Sequence, residues 1–162
     1  MIILEVQTYT KENLQEYIEL FDDEELELSL VGEISDLVLK FDIEGARNIL
    51  HALKSSPIQK GIEIILDEPV NFKETCHVKK VKINFTNISE FELSNVVEDS
   101  LFYKDGIVFL SFYHEAIDAT IFKLEECIEK HVFSPAEIID LYYENREITL
   151  YGEFVHSVQL KI

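Results

Sequence analysis

Residues 101–113 read LFYKDGIVFLSFY, from Leu101 to Tyr113. Two short runs rich in aromatic and branched side chains flank Asp105-Gly106. Asp-Gly between such runs is among the strongest short-range hairpin signals, because a two-residue turn that follows the strand twist needs positive φ at both positions. This stretch makes the chain a protein of adjacent antiparallel strands.

Working outward, the pattern repeats. Val81, Ile83 and Phe85 alternate with Lys80, Lys82 and Asn84, and Phe91 and Leu93 alternate with Glu90 and Glu92. Gly61 to Leu66 is a short apolar run. Toward the N-terminus, Ile2, Leu4 and Val6 open a strand. Leu26, Leu28 and Leu30 alternate with Glu25, Glu27 and Ser29, and Gly32 turns the chain into Leu37, Leu39 and Phe41. Period-two alternation of this kind marks half-buried strands.

Helices separate some of these runs. Thr10 caps one helix, with Leu14, Ile18 and Phe21 on one stripe. Asp42 caps a second, with Ala46, Leu50 and Leu53 inward, and Ser55-Ser56-Pro57 ends it. A third covers about 114–131 through Ile117, Ile121, Leu124 and Ile128. Ser134-Pro135-Ala136-Glu137 has capping-box spacing with Pro at the first helical position, so a fourth helix is expected to run to Asn145. Ile148 and Leu150 then begin a hairpin around Gly152, and Val158, Leu160 and Ile162 close the chain as a strand. Strands that follow strands directly predict an α+β fold, mainly an antiparallel or mixed sheet of about eight to ten short strands with three to four helices. At 162 residues this is expected to be one globular domain.

Charge narrows the function. The 32 acids against 14 bases leave a formal net charge of -18. Residues 1–46 hold 13 acids and 2 bases, 47–82 hold 4 and 7, and 83–162 hold 15 and 5. Such a chain repels nucleic acid and anionic membrane and attracts basic proteins. The N-terminus lacks the basic, uninterrupted apolar pattern of a signal peptide, and Cys76 and Cys127 read as free thiols, so a cytoplasmic protein is expected.

Three constellations could carry chemistry. His114-Glu115-Ala116-Ile117-Asp118 resembles the zinc-peptidase H-E-x-x-H motif, with Asp118 in the place of the last ligand. The alternative is an acid-rich first helical turn, which the macrodipole favours. Cys127 and His131 stand one helical turn apart, and Cys76-His77 could complete a four-ligand site. Against this, the Cys76-His77 spacing is wrong for zinc, and Cys127 falls on the apolar side of its helix. Arg47, His51 and Lys54 share a helix face, and Lys80 and Lys82 share a strand face. They read as a solvated face and a lysine-guarded edge, in preference to a small anion site, or as a patch paired with the chain's own acids. With only 5 Gly there is no phosphate-cradling loop, and no metal or other cofactor is expected.

The acids are better placed for binding. Asp22, Asp23, Glu24 and Glu25 follow a helix end, where negative charge is unfavourable. Glu27 shares a strand face with Glu25, and Asp36 lies on the partner strand. A second patch is Asp140, Tyr142, Tyr143 and Glu144, with one tyrosine expected to pack inward and Tyr143 taken as the anchor. Small, strongly acidic, Cys-poor α+β chains are similar to bacterial immunity proteins, which neutralise nuclease toxins. That resemblance, of composition alone, implies a non-catalytic inhibitor that covers a basic surface of a partner protein. The placement of charge and tyrosine in this chain, and no family motif, puts Asp22, Asp23, Glu24, Glu25, Glu27, Asp36, Asp140, Tyr143 and Glu144 at the contact. The alternatives are a homo-oligomeric structural subunit and a metal-dependent hydrolase using His114, Glu115 and Asp118.

Overall fold

Inward-facing branched and aromatic residues at period two build eight strands, and three amphipathic stretches build helices, among the described residues. The computed structural model describes residues 1–21, 30–55, 61–73, 76–85 and 99–156, without the side chains of 17–21, 73, 76, 77, 84 and 85. The order is β1 (Ile2–Thr8), α1 (Lys11–Phe21), β2 (Ile34–Phe41), α2 (Ile43–Ser55), β3 (Ile62–Lys73), β4 (Cys76–Phe85), β5 (Leu101–Lys104), β6 (Ile107–Phe112), α3 (His114–Lys130), β7 (Glu137–Tyr143) and β8 (Arg146–Phe154).

The strands form two mixed sheets of four, ordered β1-β2-β8-β7 and β3-β4-β6-β5. Both repeat one scheme: an antiparallel pair, a parallel central pair, an antiparallel pair. The α+β expectation holds. Leu4, Leu37, Phe41, Leu141 and Leu150 of the first sheet share one contiguous core with Ile62, Val81, Leu110 and Phe112 of the second. Ala46, Ile49 and Leu53 of α2, and Ile117, Leu124 and Cys127 of α3, complete it. No helix is long and apolar enough to cross a membrane among the described residues.

The caps sit where the side chains dictate. The Asn13 amide donates to Thr10 Oγ1 at 3.1 Å, and the Gly45 amide to Asp42 Oδ1 at 2.8 Å. Each satisfies a third-position amide that the helix leaves open. Asp105 and Gly106 have φ of 53° and 80°, the geometry of the turn read from Asp-Gly.

Two expectations are corrected. The stretch after Ser134 is no helix: Glu137–Tyr143 is strand β7. Ile139, Leu141 and Tyr143 are buried and alternate with the exposed Asp140 and half-buried Tyr142, so burial follows period two and overrides the local capping signal. The last hairpin turns at Glu144 and Asn145, with φ of 50° and 63°, and not at Gly152. Gly152 lies inside β8, where a Cβ would stand 2.5 Å from the Phe133 ring. The expected strands at 91–93 and 158–162, and residues 26–29 of the one expected at 26–30, lie outside the described residues; Leu30 opens the turn before β2, its carbonyl accepting from the Glu33 amide at 2.9 Å.

Candidate functional site: the acidic face of the first sheet

Residues directly opposite each other in neighbouring strands project to one face. In the first sheet this register assembles a polar outer surface. Gln7, Asp36, Thr149 and Asp140 form one row across all four strands. Glu5, Val38, Tyr151 and Glu137 form the next, and Lys40 and Glu153 lie opposite each other beyond it. Glu147 faces Tyr142 on the other side of the first row. Among the described residues the face thus carries six carboxylates, Glu5, Asp36, Glu137, Asp140, Glu147 and Glu153, with Lys40 among them and Lys123 of α3 at its margin, donating to the Glu137 carbonyl.

Its ends differ in charge balance. Lys40 Nζ lies 2.6 Å from Glu5 Oε2. That hydrogen bond holds the Glu5 carboxyl below the usual carboxylate value. At the opposite end, among the described residues, no cation pairs with Asp36, Asp140 or Glu147. Thr149 Oγ1 donates to Asp140 Oδ1 at 2.8 Å. Partial burial pushes the Asp36 carboxyl up, and the Asp140 charge adds to this against hydrogen bonds with the Thr149 backbone and Ser35. Glu147 is also pushed up, by burial first, then by the Asp140 charge and a hydrogen bond shared with it. Burial and then the Asp36 charge raise the Tyr151 hydroxyl. These shifts describe carboxylates whose ionised form is disfavoured first by partial burial and then by neighbouring like charge, at a cost to folding.

A pH dependence follows. A carboxyl raised in the folded state binds its proton more tightly there than in the unfolded chain, so stability falls as pH rises through the window above the ordinary value of about 4. The melting temperature is expected to climb as pH is lowered from 7 to 5. The Asp36→Asn, Glu147→Gln double variant should flatten that climb. A melting temperature in the parent protein that falls steadily over the same range would refute the raised carboxyls.

The structure brings Asp36 and Asp140 together, although 103 residues separate them in the chain. It does not bring Tyr143 with them. Tyr143 is buried, its ring 5.9 Å from that of Phe72 at 70°. Tyr142 takes the outward place, because its parity in β7 matches that of Asp140. Glu144 sits in the exposed turn, its amide donating to Asp99 Oδ1 at 3.1 Å. Asp22, Asp23, Glu24, Glu25 and Glu27 lie outside the described residues. Glu147 and Tyr151, absent from the sequence-based selection, join the face through a strand register that spacing does not reveal.

The other constellations stay apart from it. His114, Glu115 and Asp118 are exposed on the first turns of α3. Among the described residues no group of three His, Cys, Asp or Glu side chains is arranged to hold a metal ion. Burial pushes the Cys127 thiol up to about 11, which leaves it an inert core side chain. His131 ends α3 with φ of 60°, its ring stacked on Phe154 at 5.6 Å. The Cys76 and His77 side chains lie outside the description. On α2, Lys54 pairs with Glu125 of α3 at 3.0 Å, as expected for a patch that meets the chain's own acids. Lys80 and Lys82 guard no edge: β4 lies between β3 and β6.

No family model and no curated protein matches the chain. Its backbone is similar to part of the crystal structure of Drosophila Suppressor of Fused, at 9% identity and a TM-score of 0.41. The match covers 94% of this chain and 39% of that one.

Proposed function

We propose that this chain is a binding protein of the inhibitor type, whose acidic surface covers a basic surface on a partner protein as an immunity protein covers a nuclease toxin. One observation carries the reading: the row of Asp36, Thr149 and Asp140, with Glu147 beside it, held across three strands on an outward face and paired with no cation among the described residues. A rigid sheet fixes these groups before the partner arrives, so little ordering entropy is lost on docking. Tyr142 and Tyr151 supply broad contact area among the charges. A groove that binds nucleic acid is rich in Lys and Arg, and carboxylates in register are the chemistry that occupies it. The acids of 22–27 belong to the same reading by sequence alone.

The test compares the protein with its Asp36→Asn, Asp140→Asn, Glu147→Gln variant, each immobilised in lysate of the native host. The unmodified protein is expected to retain a basic protein that raised salt releases, and to suppress that protein's nuclease activity once both are purified. The variant should bind at least about 10-fold more weakly, mostly through a slower association rate. Equal affinity of both forms for the captured protein would remove this face from the contact.

A further inference from the structure

The second sheet presents a face of opposite character. Its register places Ile65 and Lys80 opposite each other, then Lys80 and Ile107, and Ile107 and Lys104. The adjacent row runs Glu63, Lys82, Phe109, Phe102. Ile65 is 66% exposed and Phe102 42%. The Phe102 and Phe109 rings stack at 4.7 Å and 6°, and Lys82 Nζ lies 5.9 Å from the Phe109 centroid. The result is a face on which Lys80 and Lys82 of β4 and Lys104 of β5 alternate with Ile65, Ile107, Phe109 and Phe102, with Glu63 in the same two rows, on a chain whose net charge is -18. Exposed apolar side chains interleaved with cations suit a partner surface that offers carboxylates and aromatic rings together.

We propose that this face docks the acidic outer face of the first sheet of a second copy. The complementarity is written in the chain itself: lysines beside phenylalanines on one sheet, carboxylates beside tyrosines on the other. Both sheets have four strands in the same antiparallel–parallel–antiparallel scheme, so the two faces match in width, about 14 Å at the usual strand spacing. Single-stranded nucleic acid, the other ligand that lysine and aromatic residues invite, is disfavoured. The two rings cover each other, Lys82 lies over Phe109, and the net charge repels a phosphate chain.

The contact uses a different face on each copy, so it is heterologous and leaves one face of each kind open. Association should therefore extend with concentration and not stop at a dimer. Its salt dependence should pass through a maximum. At about 0.01 M salt the Debye length is near 30 Å and the net charges repel; at about 0.15 M it is near 8 Å and contact pairs prevail; at 1 M the contacts themselves weaken. This inference shares the acidic face with the basic-partner reading but needs no other protein.

The experiment is sedimentation velocity on the purified chain at about 0.15 M salt. The average sedimentation coefficient should rise with concentration. Lys80→Glu, Lys82→Glu, Lys104→Glu in one variant, and Asp36→Asn, Asp140→Asn, Glu147→Gln in another, should each sediment as monomers. Mixed together, they should form a one-to-one pair and stop there, since each keeps the face that the other lost. Ile65→Asp, at a solvent-facing position, should abolish association independently. A monomer at every concentration, an unchanged oligomer in the variants, or binding of a single-stranded oligonucleotide by the lysine face in place of self-association would overturn the proposal. None of these outcomes bears on capture of a basic partner, which is measured with a different protein.

Discussion

Gly45→Ala is expected to destabilise the protein by about 3 kcal/mol, at the upper end of what overpacking costs. Alanine normally favours a helix over glycine by about 1 kcal/mol, so the ordinary rule has the opposite sign. The reason is the space. A Cβ at position 45 would stand 2.3 Å from the Met1 carbonyl oxygen and 3.0 Å from Phe41 Cβ. The first obstacle is backbone, which no rotamer change can move. The chain at Met1 is also tied to its neighbours, its carbonyl accepting from the Asp42 amide at 3.2 Å. Relief therefore requires α2 and the start of β1 to separate. For a chain of this size the melting temperature should fall by about 10 °C. A rise on substitution would refute the close approach.

Phe41→Ala is expected to cost about 3–5 kcal/mol. Phe41 is 1% exposed in a central strand of the first sheet. Its ring meets Phe133 edge-on, with centroids 5.4 Å apart at 89°. Truncation removes a large buried apolar area and leaves a hole between two sheets that cannot both close on it. Phe41→Leu keeps most of the volume and should cost less than half as much. Urea unfolding of both variants measures the two values. Equal costs would mean that the site collapses around the smaller side chain.

What sequence reveals here is set by how local the cause is. The Asp105-Gly106 turn and the Thr10 and Asp42 caps act within three residues, and each is seen in the atoms expected. The stretch after Ser134 shows the limit. Its capping-box spacing is local, but Ile139, Leu141 and Tyr143 are pulled into register by β8, and pairing outweighs the cap. Reading a helix there also lost the strand parity that separates Tyr142 from Tyr143. Gly152 looks like a turn in sequence, and its actual cause is the Phe133 ring, nineteen residues earlier. The acidic face was half legible. Asp36 and Asp140 were identifiable by type, while their meeting depends on a parallel β2–β8 pairing that no spacing encodes. For the same reason, Lys80 and Lys82 looked like guards of an edge that β6 in fact occupies.

That parallel pairing also governs how the chain matures. β8, residues Arg146–Phe154, inserts between β2 and β7, and its register with β2 runs from Asp36–Thr149 to Phe41–Phe154. During synthesis, at about 5–20 residues per second, β2 emerges several seconds before its neighbour exists. Throughout that interval Leu37, Leu39 and Phe41 lie on a strand with one unpaired flank, open to β-pairing with other chains. Closure then requires contacts across more than a hundred residues, which slows folding relative to a chain built from neighbouring hairpins. The nascent chain is thus most vulnerable to misassembly just before residue 146 appears, and a ribosome-proximal chaperone should matter most at that point.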